Sequence, residues 1–93
     1  MSNFVFSFRA PRNRRLDAAE EAAWGDWFQK IGANVADFGH RVGDTSPLGN
    51  CGSDSMLGGY VVVTADSLET AVALANGCPG LQQGGGVEVG ATV

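Results

Sequence analysis

The stretch from Leu57 to Val89, LGGYVVVTADSLETAVALANGCPGLQQGGGVEV, limits the chain to few folds. It reads as a strand, a capped helix and a returning strand. Tyr60 to Ala65 alternates, with Val61 and Val63 on one side and Tyr60, Val62 and Thr64 on the other. Both sides are largely apolar, which predicts a strand covered on both faces. Asp66 is expected to cap the following helix, with Glu69 three residues on. Leu68, Ala71, Val72 and Ala75 form its apolar stripe, widened by Leu74. Gly77 and Pro79 end it. Gly84 to Gly86 is turn chemistry, and Val87, Val89, Ala91 and Val93 alternate as a last strand.

The first half carries a matching unit. Phe4, Phe6 and Phe8 alternate with Val5 and Ser7, a period-two pattern that predicts a strand over Asn3 to Phe8, ended by Pro11. Asp17 to Ile31 reads as a helix, with Asp17 and Glu20 in capping-box positions. Trp24, Trp27, Phe28 and Ile31 fall on one face, and their spacing points to core packing more than to a ligand cage. Gly32 is expected to cap its end. Asn34 to Phe38 is a short predicted strand. Gly39 to Met56, rich in Gly, Ser, Asp and Asn, is predicted as a long loop with room for a short hairpin arm.

Strand, helix, strand, strand, helix, strand is the ferredoxin-like order: an α+β fold with both helices on one face of a four-stranded antiparallel sheet. The chain of 93 residues fits one domain spanning positions 1–93. Two helices leave the second sheet face bare, yet the strands place apolar groups there. A second copy of the chain is the simplest cover, so a homodimer through the open sheet face is expected.

Charge excludes some functions. The net charge is −4, and four of the six cations, Arg9, Arg12, Arg14 and Arg15, cluster near one end. The acidic remainder argues against a nucleic-acid partner, because phosphate contacts need a broad basic surface. No run approaches the ~20 apolar residues of a membrane span, so no membrane partner is expected. No basic region followed by an apolar run marks a targeting signal, and a cytoplasmic location is the expectation. Two cysteines offer neither a disulfide framework nor a metal set. No glycine-rich stretch continues into the Lys-Ser/Thr of a phosphate loop, and no cofactor is implied.

An ordered set of short segments resembles the YCII-related domain family. These are Gly58-Gly59-Tyr60, Ala65-Asp66-Ser67-Leu68, Ala71 through Ala75, Gly77-Cys78-Pro79 and Gly85-Gly86-Val87-Glu88-Val89. Trp24, Phe28 and Gly32, and the Asp37-Phe38-Gly39 strand end, are similar more loosely. The resemblance implies a ferredoxin-like fold that dimerises sheet to sheet as a dimeric α/β barrel. Some members resemble muconolactone-type enzymes that remove chloride from ring-cleavage products. Some carry a histidine on the first helix, paired with an aspartate, and others an Asp-Gly-Pro-Phe motif before the third strand. This chain has no histidine in its first helix and no such motif in Ser53 to Leu57, so neither site carries over.

The residues left for chemistry are few. His40 is the single histidine and the natural acid or base near neutral pH; otherwise it is a solvated loop residue. Arg9, which leaves the first strand, is the best oriented of the arginine cluster for a carboxylate or phosphate; otherwise the cluster balances the acidic first helix turn. Arg41 beside His40 is a second possible anchor. Tyr60 offers a hydroxyl to a pocket or is a structural tyrosine. Cys51 lies in the long loop, and Cys78 reads as a packed small hydrophobe. Three functions fit: a homodimer binding a small organic anion between sheet and loops; a lyase or isomerase acting on a small acid or lactone, dehalogenating in the muconolactone manner; and a non-catalytic structural or regulatory dimer.

Overall fold

A computed structural model describes residues 1–12 and 15–93. Arg14, one of the clustered arginines, lies outside the described residues. The elements run β1 (Ser2–Pro11), α1 (Ala18–Ile31), β2 (Val35–Arg41), β3 (Ser55–Ala65), α2 (Leu68–Ala75) and β4 (Gly86–Ala91), with 3-10 turns at Gly32–Asn34 and Pro79–Gln82. The strands form one sheet in the order β2-β3-β1-β4. All three pairings are antiparallel. This is the expected ferredoxin-like α+β arrangement.

α1 starts where its caps require. The Asp17 carboxylate accepts from the Glu20 N–H at 2.8 Å, and Glu20 Oε1 accepts from the Asp17 N–H at 3.1 Å. Two otherwise orphaned donors are thereby satisfied at the helix end. Lys30 in the last turn suits the negative end.

The core lies between the helices and one sheet face. Phe4, Phe6 and Phe8 of β1, Val61, Val63 and Ala65 of β3, Trp27 and Ile31 of α1, and Ala71 and Ala75 of α2 are all buried. Phe8 meets both indoles edge to face, 5.0 Å from Trp24 and 5.9 Å from Trp27 between ring centres. The two indoles have hydrogen-bond partners in Gln83 Oε1 and the Leu74 carbonyl, as partly buried indole N–H groups need. The tryptophans are thus core, in line with their spacing.

Five local expectations are corrected. Ser67, not Asp66, caps α2: its hydroxyl accepts from the Thr70 N–H at 3.2 Å, so Glu69 falls one position short of a capping box. The stripe of α2 is also rotated. Ala71 and Ala75 are buried while Leu68 and Val72 are 51% and 42% exposed, because small side chains let this helix lie close on the sheet. β3 begins at Ser55, five residues early, and β2 runs on to Arg41. The connection between them shrinks to residues 42–54 and contains no hairpin arm.

Candidate functional site

The extension of β2 relocates His40, which lies inside the strand and not in the loop after it. His40 pairs with Tyr60 across the β2–β3 register. The pairing holds because Gly39 is an extra residue in β2 at φ +64. A Cβ there would strike the Tyr60 carbonyl oxygen, and the left-handed backbone disfavours any other residue. The Asp37 carboxylate accepts from the Gly39 N–H at 2.8 Å and fixes the bulge. A first register shift between Val35 and Asp37 puts Asp37 on the uncovered face, and the bulge at Gly39 keeps His40 on that face. Phe38 turns to the helix side, 6.1 Å from Phe28 between ring centres. His40 turns to the uncovered face, where its ring lies 6.1 Å from that of Tyr60.

The pairing continues across the sheet. Tyr60 pairs with Ser7 of β1, and Ser7 pairs with Glu88 of β4. Val87 and Val89 pack on the core, so Glu88 between them points away from it. His40, Tyr60, Ser7 and Glu88 therefore form one transverse polar row, one residue from each strand, on the face without helices. The row beside it reads Asp37, Val62, Val5 and Gly90. Ser7 and Glu88 were invisible as site residues in the sequence; the alternation around them shows only that they face away from the phenylalanines and valines.

Arg9 reaches the same face further along β1 but is engaged. Its Nε donates to Ser55 Oγ at 3.1 Å, and its Nη2 donates to the Cys51 and Ser55 carbonyls, each at 3.0 Å. Arg12 Nε likewise donates to the Ser53 carbonyl at 3.0 Å. These two arginines tie the end of the long loop to β1. Nη1 of Arg9 makes no hydrogen bond among the described residues. Arg41 does not join His40. It projects to the helix side and forms an ion pair with Glu21 of α1 at 3.4 Å.

Two surface depressions lie elsewhere. One of about 590 Å³ is lined by Arg12 and loop residues 47 and 49–53. A second, of about 330 Å³, sits at the start of α1 against Gln82 and Gln83. Neither includes Arg9, His40 or Tyr60. Cys78 is buried, and burial pushes its thiol above the ordinary value of 9.0, opposed by backbone hydrogen bonds from Gly80 and Leu81. No group of three His, Cys, Asp or Glu side chains among the described residues is placed to hold a metal. No helix among them is long and apolar enough to cross a membrane.

No curated protein matches the chain. Among solved structures, the fold is similar to 5-chloro-2-hydroxyhydroquinone dehydrochlorinase from Burkholderia phenoliruptrix in complex with 2,5-dihydroxybenzoquinone. The TM-score is 0.53 at 18% sequence identity, over 94% of this chain and 89% of that one. At that identity the likeness speaks to the fold alone. The sequence model of the YCII-related domain matches residues 10–91. The match takes in β2 to β4 and both helices, and with it the chain belongs to the YCII-related domain family.

Proposed function

We propose that two copies pack through the uncovered sheet face, and that the His40–Tyr60 end of the polar row binds a small organic anion in the enclosed space. The observation that carries this reading is the convergence of His40 and Tyr60, two side chains 20 positions apart, on a face that already bears half-buried Val5 and Val62. A bare sheet face is nearly flat and becomes a binding cavity only when covered. The two depressions described above lie away from this pair. His40 supplies an N–H and Tyr60 a hydroxyl, while Nη1 of Arg9 has donors to spare at the loop end. Arg41, turned toward α1, has no part in this site. The ligand class is supported by the small hydroxylated ring held by the dehydrochlorinase of the same fold.

Calorimetry and thermal melting with small carboxylates, lactones and dihydroxybenzoquinones test the proposal. Binding is expected in the wild type and is expected to weaken at least tenfold in His40→Ala with the fold intact. Failure of every such compound to bind would leave the third expectation, a purely structural or regulatory dimer. Catalysis is a second reading, favoured by the exposure of His40 beside a tyrosine. Here His40 removes a proton next to a carbon–halogen bond, the double bond forms, and the halide leaves. Halide release from chlorinated hydroquinones or lactones by the wild type, and its loss in His40→Ala, would establish that lyase activity.

A further inference from the structure

The polar row has a property that a single chain does not use: it is complementary to itself when reversed. We infer that the dimer axis runs along the strands between β1 and β3, so that His40 faces Glu88 of the partner subunit and the two form a composite site. The inference rests on the open-face dimer proposed above and adds to it a register and a partner residue.

Strand order decides the register. The sheet runs β2-β3-β1-β4, and the row runs His40, Tyr60, Ser7, Glu88 in that order. A two-fold axis parallel to the strands and midway between the central pair exchanges β2 with β4 and β3 with β1. Each row is then laid over its own reverse. His40 meets Glu88 of the partner subunit, and Tyr60 meets Ser7 of the partner subunit. An imidazole nitrogen finds a carboxylate, which leaves the second ring nitrogen for the ligand, and a phenol lies over a hydroxyl that can share its hydrogen bonding. The neighbouring row passes the same test. Val62 meets Val5 of the partner subunit, and Asp37 meets the open space over Gly90 of the partner subunit. Stacked sheets lie about 10 Å apart with interdigitated side chains, and aligned packing keeps strand directions within ~30°, so the ends of the row stay within reach.

The other simple arrangement fails on charge. An axis running across the strands along this row would set Glu88 against Glu88 of the partner subunit, with two like charges opposed. Within one chain, His40 makes no hydrogen bond or ion pair among the described residues. The site at His40 is therefore incomplete until a second copy brings its Glu88. Two such sites form per dimer, at opposite ends of the row, which spans about 14 Å at three strand spacings.

Cross-linking reads the register directly. In a Cys51→Ser background, which removes the exposed thiol, His40→Cys and Glu88→Cys proteins are made separately and treated with a short bis-maleimide. The mixture is expected to give a covalent heterodimer, at least tenfold more than either protein alone. Self-linking of the His40→Cys protein would overturn the inference in favour of the crosswise axis. A charge swap supplies the second readout in the full chain. His40→Glu is expected to raise the dimer dissociation constant at least tenfold, and His40→Glu with Glu88→Arg to return it to within about threefold of wild type. No rescue in the double variant would overturn the pairing, while a wild-type dimer would leave the proposed function standing. A monomeric wild type would instead remove the dimer itself.

Discussion

The two faces of one sheet do different work, and β1 shows it residue by residue. Phe4, Phe6 and Phe8 project to the helices and are buried. Val5, Ser7 and Arg9 project the other way and are half-buried. The helix-covered face has its aromatic residues interlocked and its indole N–H groups bonded, so it is finished within one chain. The other face carries polar groups with few partners among half-exposed valines. The covered face accounts for the fold, and the uncovered face holds the candidate site because its side chains are not committed to the core.

Substitutions at adjacent positions of β1 break this comparison most sharply. Phe6→Ala on the covered face is expected to cost about 3–5 kcal/mol in chemical denaturation, from lost burial and the cavity left behind. Ser7→Ala, one residue along, should cost less than ~1 kcal/mol. Equal losses would show that the two faces are alike. Gly39→Ala tests the point where β2 changes faces. A left-handed alanine costs about 1–2 kcal/mol, and the collision with the Tyr60 carbonyl adds to it. The amide chemical shifts of His40 and Tyr60 should move together in that variant.

The cysteines carry the contrast into reactivity. Cys51 is exposed and Cys78 buried, so a thiol reagent should label one equivalent at once and the second only as the protein opens. Burial raises the folded-state value of Cys78, so the unfolded chain loses that proton first as the pH rises. Its contribution to stability is complete below 9.0 and is lost as the pH climbs from there through the raised folded value. A Cys78→Ala variant should show a flatter stability profile in that alkaline range. The smallest effect belongs to Arg41, whose ion pair with Glu21 joins side chains 76% and 53% exposed. Arg41→Ala should change stability by less than ~0.5 kcal/mol and leave ligand binding as it was. Lost binding would bring Arg41 back into the site.

How much of this was legible depended on whether the signal lay in side chains or in the backbone. The β1 alternation and the Asp17–Glu20 box are side-chain patterns, and both were read correctly in the sequence. The strand extensions were not. Ser55 and Met56 read as the end of the long loop, and Gly58 and Gly59 lie ahead of the strand read from Tyr60, yet Ser55, Met56, Leu57 and Gly59 all pair with β1. Close approach explains the glycine at 59: a Cβ there would lie 2.9 Å from the His40 carbonyl oxygen. The bulge at Gly39 is likewise a backbone event, and a sequence pattern blind to it places His40 beyond the strand. The row of His40, Tyr60, Ser7 and Glu88 depends on three strand registers at once, which no local pattern encodes. Leu68 and Val72 misled for another reason: apolar spacing shows that a helix has a face, but close packing chose the alanines.

Sedimentation equilibrium at micromolar concentration, comparing the wild type with Val62→Lys, tests the central claim most directly. Val62 sits in the middle of the uncovered face, where a lysine would be pressed against the apolar face of a second copy without disturbing the helix-covered core. The account predicts a dimeric wild type and a folded, monomeric variant. A monomeric wild type, or a variant that dimerises as tightly as the wild type, would contradict it.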